Sequence, residues 1–152
     1  MTFEARPAAA SDVAAIEAVV NRAYDKYVER MERRPAPMMA DYAQLVADHV
    51  VTVLADDEHV VGVLIGWVDG DSYYVDNVAA DPSAGVRGLG LRLLDIADEQ
   101  AHAAGCTRMW LYTNAAMTEN LGYYERRGFT VFDRRLDDGY DRVFFERPVV
   151  AR

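Results

Sequence analysis

The sequence predicts a mixed α/β fold of the α+β kind: one central, mostly antiparallel sheet of about seven strands flanked by about four helices. Three observations predict it. Of the 152 residues, 51% are apolar and 27% charged, an ordinary globular composition in a chain long enough to bury one core. Strand-like β-branched runs outnumber helical repeats along the chain. Only the middle reads as a strand–helix–strand crossover, so a doubly wound parallel sheet is not expected. With no internal repeat, low-complexity tract or Gly/Ser linker, residues 1–152 read as a single domain.

The elements follow in order. Thr2–Arg6 reads as a short edge strand. Ser11-Asp12 offers an N-cap, and Val13, Ile16, Val19, Val20, Ala23, Tyr24 and Tyr27 then repeat at helical spacing. Two prolines in Arg33-Arg34-Pro35-Ala36-Pro37 remove backbone donors and favour extended geometry before them. The helix is therefore expected to end near Arg33. A second helix is expected over Met39–Asp48, with Tyr42, Leu45 and Val46 inward. Val50–Ala55 and Val60–Val68 form a hairpin-like pair around Asp56-Asp57-Glu58-His59. Asp69-Gly70-Asp71 is a turn, and Ser72–Ala79 the next strand. A helix follows Gly85–Gly90, with Leu91, Leu94, Ala97 and Ala101 on its apolar face, Leu93 and Ile96 widening it, and Gly105 stopping it. Thr107–Thr113 is a strand, and Met117–Arg127 a shorter helix ended by Gly128. Phe129–Arg135 and Tyr140–Arg147 pair across Asp138-Gly139, a strong hairpin signal.

Charge and composition exclude several function classes. Acidic residues number 25 against 16 basic ones, for a net charge of −9 and a pI near 4.7. Binding nucleic acid rests on neutralising phosphates, so no nucleic-acid partner is expected. No run approaches the ~18–20 apolar residues of a membrane span. No leader pattern is visible at the start, and a cytoplasmic location is expected. Cys106, the lone cysteine, cannot form an internal disulfide and suits a reducing compartment. His49, His59 and His102 are scattered, so no metal site is expected.

Chemistry concentrates in two segments. In the first, a strand ending Asn77-Val78-Ala79-Ala80-Asp81-Pro82 runs into Gly85-Val86-Arg87-Gly88-Leu89-Gly90 and then a helix. Amides at a helix start lack intrahelical partners, and the dipole there is positive. Glycines let an anion approach the backbone, so the physical reading is a phosphate or pyrophosphate cradle with Arg87 as an added contact. A P-loop is excluded because Leu91-Arg92 follow Gly90, and a dinucleotide fingerprint because Leu93 stands at its third glycine. On the glycines alone, a tight strand-to-helix turn explains the pattern equally well. The second segment is Asn120-Leu121-Gly122-Tyr123-Tyr124-Glu125-Arg126-Arg127-Gly128-Phe129. Asn120 and Tyr124, four apart, share a helix face.

Together the two segments resemble the GNAT superfamily of acetyl-CoA-dependent N-acetyltransferases. That family's pyrophosphate loop reads Gln/Arg-x-x-Gly-x-Gly/Ala, and Gly88 and Gly90 match its small positions. Tyr124 precedes Gly128-Phe129 by the family spacing, and the order of elements matches across essentially the whole chain. One position departs: Gly85 stands where the family carries Gln or Arg.

The resemblance implies transfer of an acetyl group from acetyl-CoA to a primary amine by direct attack. Acetyl-CoA would lie between the Ser72–Ala80 and Thr107–Thr113 strands, with its pyrophosphate on the amides of Gly85, Val86, Arg87, Gly88, Leu89, Gly90 and Leu91. Its pantetheine would pair with the backbone around Val78, Ala79 and Ala80, near Asn120. A backbone N–H near Val78 would meet the developing oxyanion. Tyr124 would return a proton to the departing thiolate; taken alone, a helical tyrosine belongs to a core. Asp76 is the candidate base, its alternatives being a solvent-facing strand position or Tyr73 or Tyr74 acting through water. Tyr24, Tyr27 and Met31 fall at i, i+3 and i+7, and with Met38 in the proline loop they are the candidate acceptor pocket, although such a stripe also fits a core. The resemblance further implies a homodimer. A non-catalytic acyl-CoA-binding or regulatory module on the same fold, and an unrelated nucleotide-phosphate binder, are the competing readings.

Overall fold

The structure, a computed structural model, describes residues 2–151. It is a mixed α/β fold with a seven-stranded sheet in the order β1-β2-β3-β4-β5-β7-β6 and four α-helices. Packing divides the chain into two compact units, Met1–Gly66 with Asn77–Ala97, and Trp67–Asp76 with Asp98–Arg152.

The first unit contains β1 (Glu4–Pro7), α1 (Val13–Tyr24), α2 (Tyr42–Ala47), β2 (Val51–Ala55), most of β3 (Val60–Asp69), the end of β4 (Ser72–Ala80) and most of α3 (Leu89–Ala103). β1, β2 and β3 pair antiparallel, with a register shift between Leu54 and Ala55. Val51, Val53, Val63 and Ile65 pack with Ile16, Val19 and Val20 of α1 and Val46 of α2. The opposite side meets α3, where a Cβ added at Gly62 would lie 3.1 Å from a Leu93 methyl and 3.2 Å from Leu54 Cβ. Cover on both faces explains why β3 reads as an unbroken apolar run instead of alternating.

Four expectations are corrected here. The α-helix ends at Tyr24, not near Arg33, and the chain tightens into a 3-10 helix over Asp25–Arg30. Near three residues per turn, positions i and i+3 eclipse, so Tyr24 and Tyr27 sit together with ring centroids 6.2 Å apart, and Met31 lies beyond the helix. Asp12 does not cap α1; its carboxylate takes both Arg6 amino groups and the Ala9 amide instead. The expected Met39–Asp48 helix is split into a 3-10 turn over Ala36–Met39 and α2, which Asp41 caps by accepting the Gln44 amide at 3.1 Å. Leu91 is also exposed, not inward: α3 starts at buried Leu89, and two residues on is about 200° round the helix.

The second unit holds β5 (Arg108–Asn114), α4 (Thr118–Arg126), β6 (Thr130–Asp137) and β7 (Tyr140–Pro148), with the first part of β4. β4 and β5 run parallel, in register from Ser72↔Arg108 to Tyr74↔Trp110. β5 pairs antiparallel with β7 along its whole length, and β7 with β6 across a bulge between Val131 and Asp133. Asp138 and Gly139 both have positive φ, 51° and 80°, as a two-residue primed hairpin turn demands. Asp98, fully buried, receives both Arg147 amino groups at 2.8 Å and the Val150 amide at 3.0 Å.

Candidate active site

In the first unit, β4 ends at Ala80 and Asp81 begins a short 3-10 turn, Pro82–Ala84. The Asp81 carboxylate accepts the Ser83 amide and hydroxyl and a two-pronged ion pair from Arg22 at 3.1 and 2.6 Å. The Arg22 hydrogen bond, aided by Ser83, holds the Asp81 pKa down at about 2. Gly85 then takes φ +70° and Gly88 φ +78°, and α3 opens at Leu89. Ala80, Asp81, Pro82 and Gly85 through Gly90 line a cavity of about 440 Å³.

This geometry fits a pyrophosphate. The Leu89, Gly90 and Leu91 amides precede the first intrahelical bond, Arg92 N–H to the Gly88 carbonyl, and are free to donate. Nothing lies within 4 Å of a Cβ built at Gly85 or Gly88, so the space beside the loop is open. Gly85 also explains its own departure from the family pattern: a left-handed backbone there would strain Gln or Arg. Arg87 is exposed beside the loop, and Val78 and Ala80 alternate with buried Asn77 and Ala79.

Sequence reasoning missed the polar links behind this strand. Asn77 accepts a hydrogen bond from the Tyr24 hydroxyl at 2.7 Å and donates to the Tyr42 oxygen at 3.3 Å, while Tyr42 donates to the Pro37 carbonyl. The available signal was a lone amide within an apolar strand. Of the candidate acceptor residues, Tyr24 joins this network, Met38 is half-buried in the Ala36–Met39 turn, and Tyr27 is 2% exposed beneath Lys26 and Arg30.

In the second unit, Tyr124 packs against Phe129 and Phe145, with centroids 5.6 and 5.7 Å away. Asn120, one turn earlier on α4, donates to Thr113 Oγ1 at 3.2 Å and to the Met117 sulfur at 3.6 Å. Asp76 is half-buried and accepts the Tyr74 hydroxyl at 2.9 Å. Burial pushes its carboxyl above the ordinary value, opposed by that hydrogen bond and the charge of Arg142. A raised carboxyl suits a base. Burial pushes the Tyr73 phenol up to about 12 and the Tyr74 phenol further, which suits neither to accept a proton at neutral pH. Burial likewise raises the Cys106 thiol. Among the described residues, no three His, Cys, Asp or Glu side chains are placed to hold a metal ion, and no helix is long and apolar enough to cross a membrane.

The acetyltransferase (GNAT) family model matches residues 16–129. The chain belongs to the GNAT family. An acetyltransferase of Agrobacterium fabrum is 32% identical over 80 residues, 53% of this GNAT chain and 57% of that protein. The PaiA N-acetyltransferase of Thermoplasma acidophilum, solved with coenzyme A, superposes with a TM-score of 0.77 at 14% identity, covering 97% of this chain and 99% of that one. The YncA protein of Salmonella typhimurium, solved with acetyl-CoA, gives 0.71 at 19% identity, over 100% and 96%. At these identities the solved structures show a shared GNAT fold.

Proposed function

We propose that residues 1–152 act as one GNAT domain that transfers an acetyl group from acetyl-CoA to a primary amine. The observation that carries this reading is the Gly85–Leu91 cradle, two left-handed glycines leading into the free amides of α3. The coenzyme A and acetyl-CoA in the two solved relatives support the choice of cosubstrate. Acetyl-CoA supplies a thioester, an acyl carbon activated toward amines. The loop amides and Arg87 hold its pyrophosphate, and the backbone of Val78 and Ala80 holds its pantetheine, with Ala79 turned into the core. An N–H near Val78 donates to the carbonyl oxygen as it gains charge. Asp76 takes a proton from the acceptor's ammonium, freeing the lone pair that forms the new C–N bond. The C–S bond breaks, and Tyr124 gives its phenolic proton to the thiolate sulfur. Asn120 holds the start of α4 to β5 through Thr113.

Calorimetric titration with acetyl-CoA, with ATP and NAD as controls, tests the cradle: tight binding of acetyl-CoA alone is expected, and equal binding of ATP would return the loop to a generic phosphate turn. Thiol release with amine acceptors tests the transfer. Tyr124→Phe should reduce turnover by about 10²-fold or more with acetyl-CoA affinity unchanged. Wild-type protein that binds acetyl-CoA yet releases no thiol with any amine would identify a binding module instead.

A further inference from the structure

One face of the second unit has no part in the phosphate cradle. Along β5 the burial alternates: Met109 and Leu111 are buried, while Trp110 and Tyr112 are half-exposed on the other face. On that face Tyr74 lies 4.4 Å from Trp110 and 6.0 Å from Tyr112, nearly parallel to Tyr112 at 22°. Trp67 extends the aromatic row on one side, 5.0 Å from Tyr74, and is 37% exposed. Phe144 continues it on the other, 5.4 Å from Tyr112.

The charges on this face are distributed unevenly. Arg108 pairs with Glu146, Arg135 with Asp133, and Arg142 with Asp137. Each guanidinium therefore has its own carboxylate. Asp76 differs: its hydrogen-bond partner is the Tyr74 hydroxyl, and it makes no ion pair among the described residues; the charge of Arg142, which pairs with Asp137 and lies over the Tyr112 ring at 4.4 Å, reaches it only from beyond ion-pair distance. The face thus offers a carboxylate with no ion pair of its own beside the partly exposed Trp110 and Tyr112 rings, with Arg142 on one side of Tyr112. A single cation is attracted both to the carboxylate and to the negative faces of the rings. A ring attached to that cation gains edge or stacked contacts with Trp110 and Tyr112. The carboxylates named beside it, Glu146, Asp133 and Asp137, are each already paired and offer less to a second cation.

We propose that the acceptor is a monoamine carrying an aromatic ring on a short chain, with its nitrogen at Asp76 and its ring against Trp110 and Tyr112. This rests on the acetyl-transfer reading, because it places the acceptor at the base of that reaction. Polyamines are disfavoured by the same charge pattern.

The test compares 2-phenylethylamine with its saturated counterpart 2-cyclohexylethylamine and with spermidine, using wild type, Trp110→Leu, Trp110→Phe and Asp76→Asn. The aromatic amine should exceed the cyclohexyl one in kcat/KM by about three- to tenfold, the range of a ring–ring contact. Trp110→Leu should abolish that preference through KM, and Trp110→Phe should retain it, with the acetyl-CoA Kd unchanged in both. Equal rates with the two matched amines, a preference for spermidine, or an equal loss for both matched amines in Trp110→Leu would overturn the proposal. Calorimetry of the same amines with coenzyme A-saturated protein separates it from the reading beneath it. If no amine is acetylated, acetyl transfer fails. Tighter binding of 2-phenylethylamine, lost in Asp76→Asn and weakened in Trp110→Leu, would still uphold the aromatic seat, and absence of amine binding would overturn it.

Discussion

Asp81 joins the end of β4 to α1 through Arg22 and shapes the turn that leads into the Gly85–Gly90 loop. Its folded pKa of about 2 lies below the ordinary carboxylate value. Such a group contributes stability above its unfolded pKa and loses it as pH falls through the folded one. Between about pH 4 and pH 2, wild type should therefore lose stability faster than Asp81→Asn. At neutral pH, Asp81→Asn should cost about 1 kcal/mol, a modest figure because the Arg22 head is half-exposed. Chemical denaturation at several pH values checks both. Asp76 has the opposite sign. Its pKa is raised, so the folded state holds its proton longer than the unfolded chain does, and its ionisation weakens the fold as pH rises through the folded pKa. Asp76→Asn should be as stable as wild type or more so at pH 7, while losing turnover. A stability loss of 2 kcal/mol or more would instead make Asp76 a structural residue.

At the scale of elements, the Gly85–Gly90 loop makes a testable distinction between strain and function. Gly70 and Gly88 have similar left-handed φ, 65° and 78°, and open space where a Cβ would go. Alanine at either should cost about 1 kcal/mol of stability. Gly88→Ala alone should also weaken acetyl-CoA binding several-fold, as calorimetry would show, since Gly70 lies in the β3–β4 turn. Most elements were legible because their signals are local: the Asp138-Gly139 turn, the Gly105 and Gly128 stops, and the β-branched runs of β2 and β3. The misplacements have physical causes. Periodicity cannot distinguish an α-helix from the 3-10 continuation that carries Tyr27, because apolar residues spaced by three suit both. Leu91 satisfied an apolar stripe counted from one residue, but the buried face is set by Leu89 and Leu93.

Across the whole molecule, an excess of nine negative charges attracts small cations and is screened by salt. Raising ionic strength from about 20 to 300 mM should raise KM for a cationic amine while leaving kcat nearly unchanged; steady-state assays would show this, and a falling KM would contradict it. The candidate site was legible only where backbone chemistry dictates residue type. Gly85, Gly88 and Gly90 fall within six consecutive positions of the chain and declare their turn. Asn77 with Tyr24 and Tyr42, and Asp81 with Arg22, are separated by dozens of residues. Pairings of that kind carry no fixed spacing to read.

The Asp98–Arg147 pair has a consequence for how this chain can change over time. Both partners are buried, so removing either leaves a charge without its counterion, at a cost of about 3–5 kcal/mol, while an apolar pair of similar volume is close to neutral. The two ends of that path are comparable in fitness, but every single-step intermediate lies in a valley. Descendants of this sequence should therefore inherit Asp98 and Arg147 as one unit, kept or lost together.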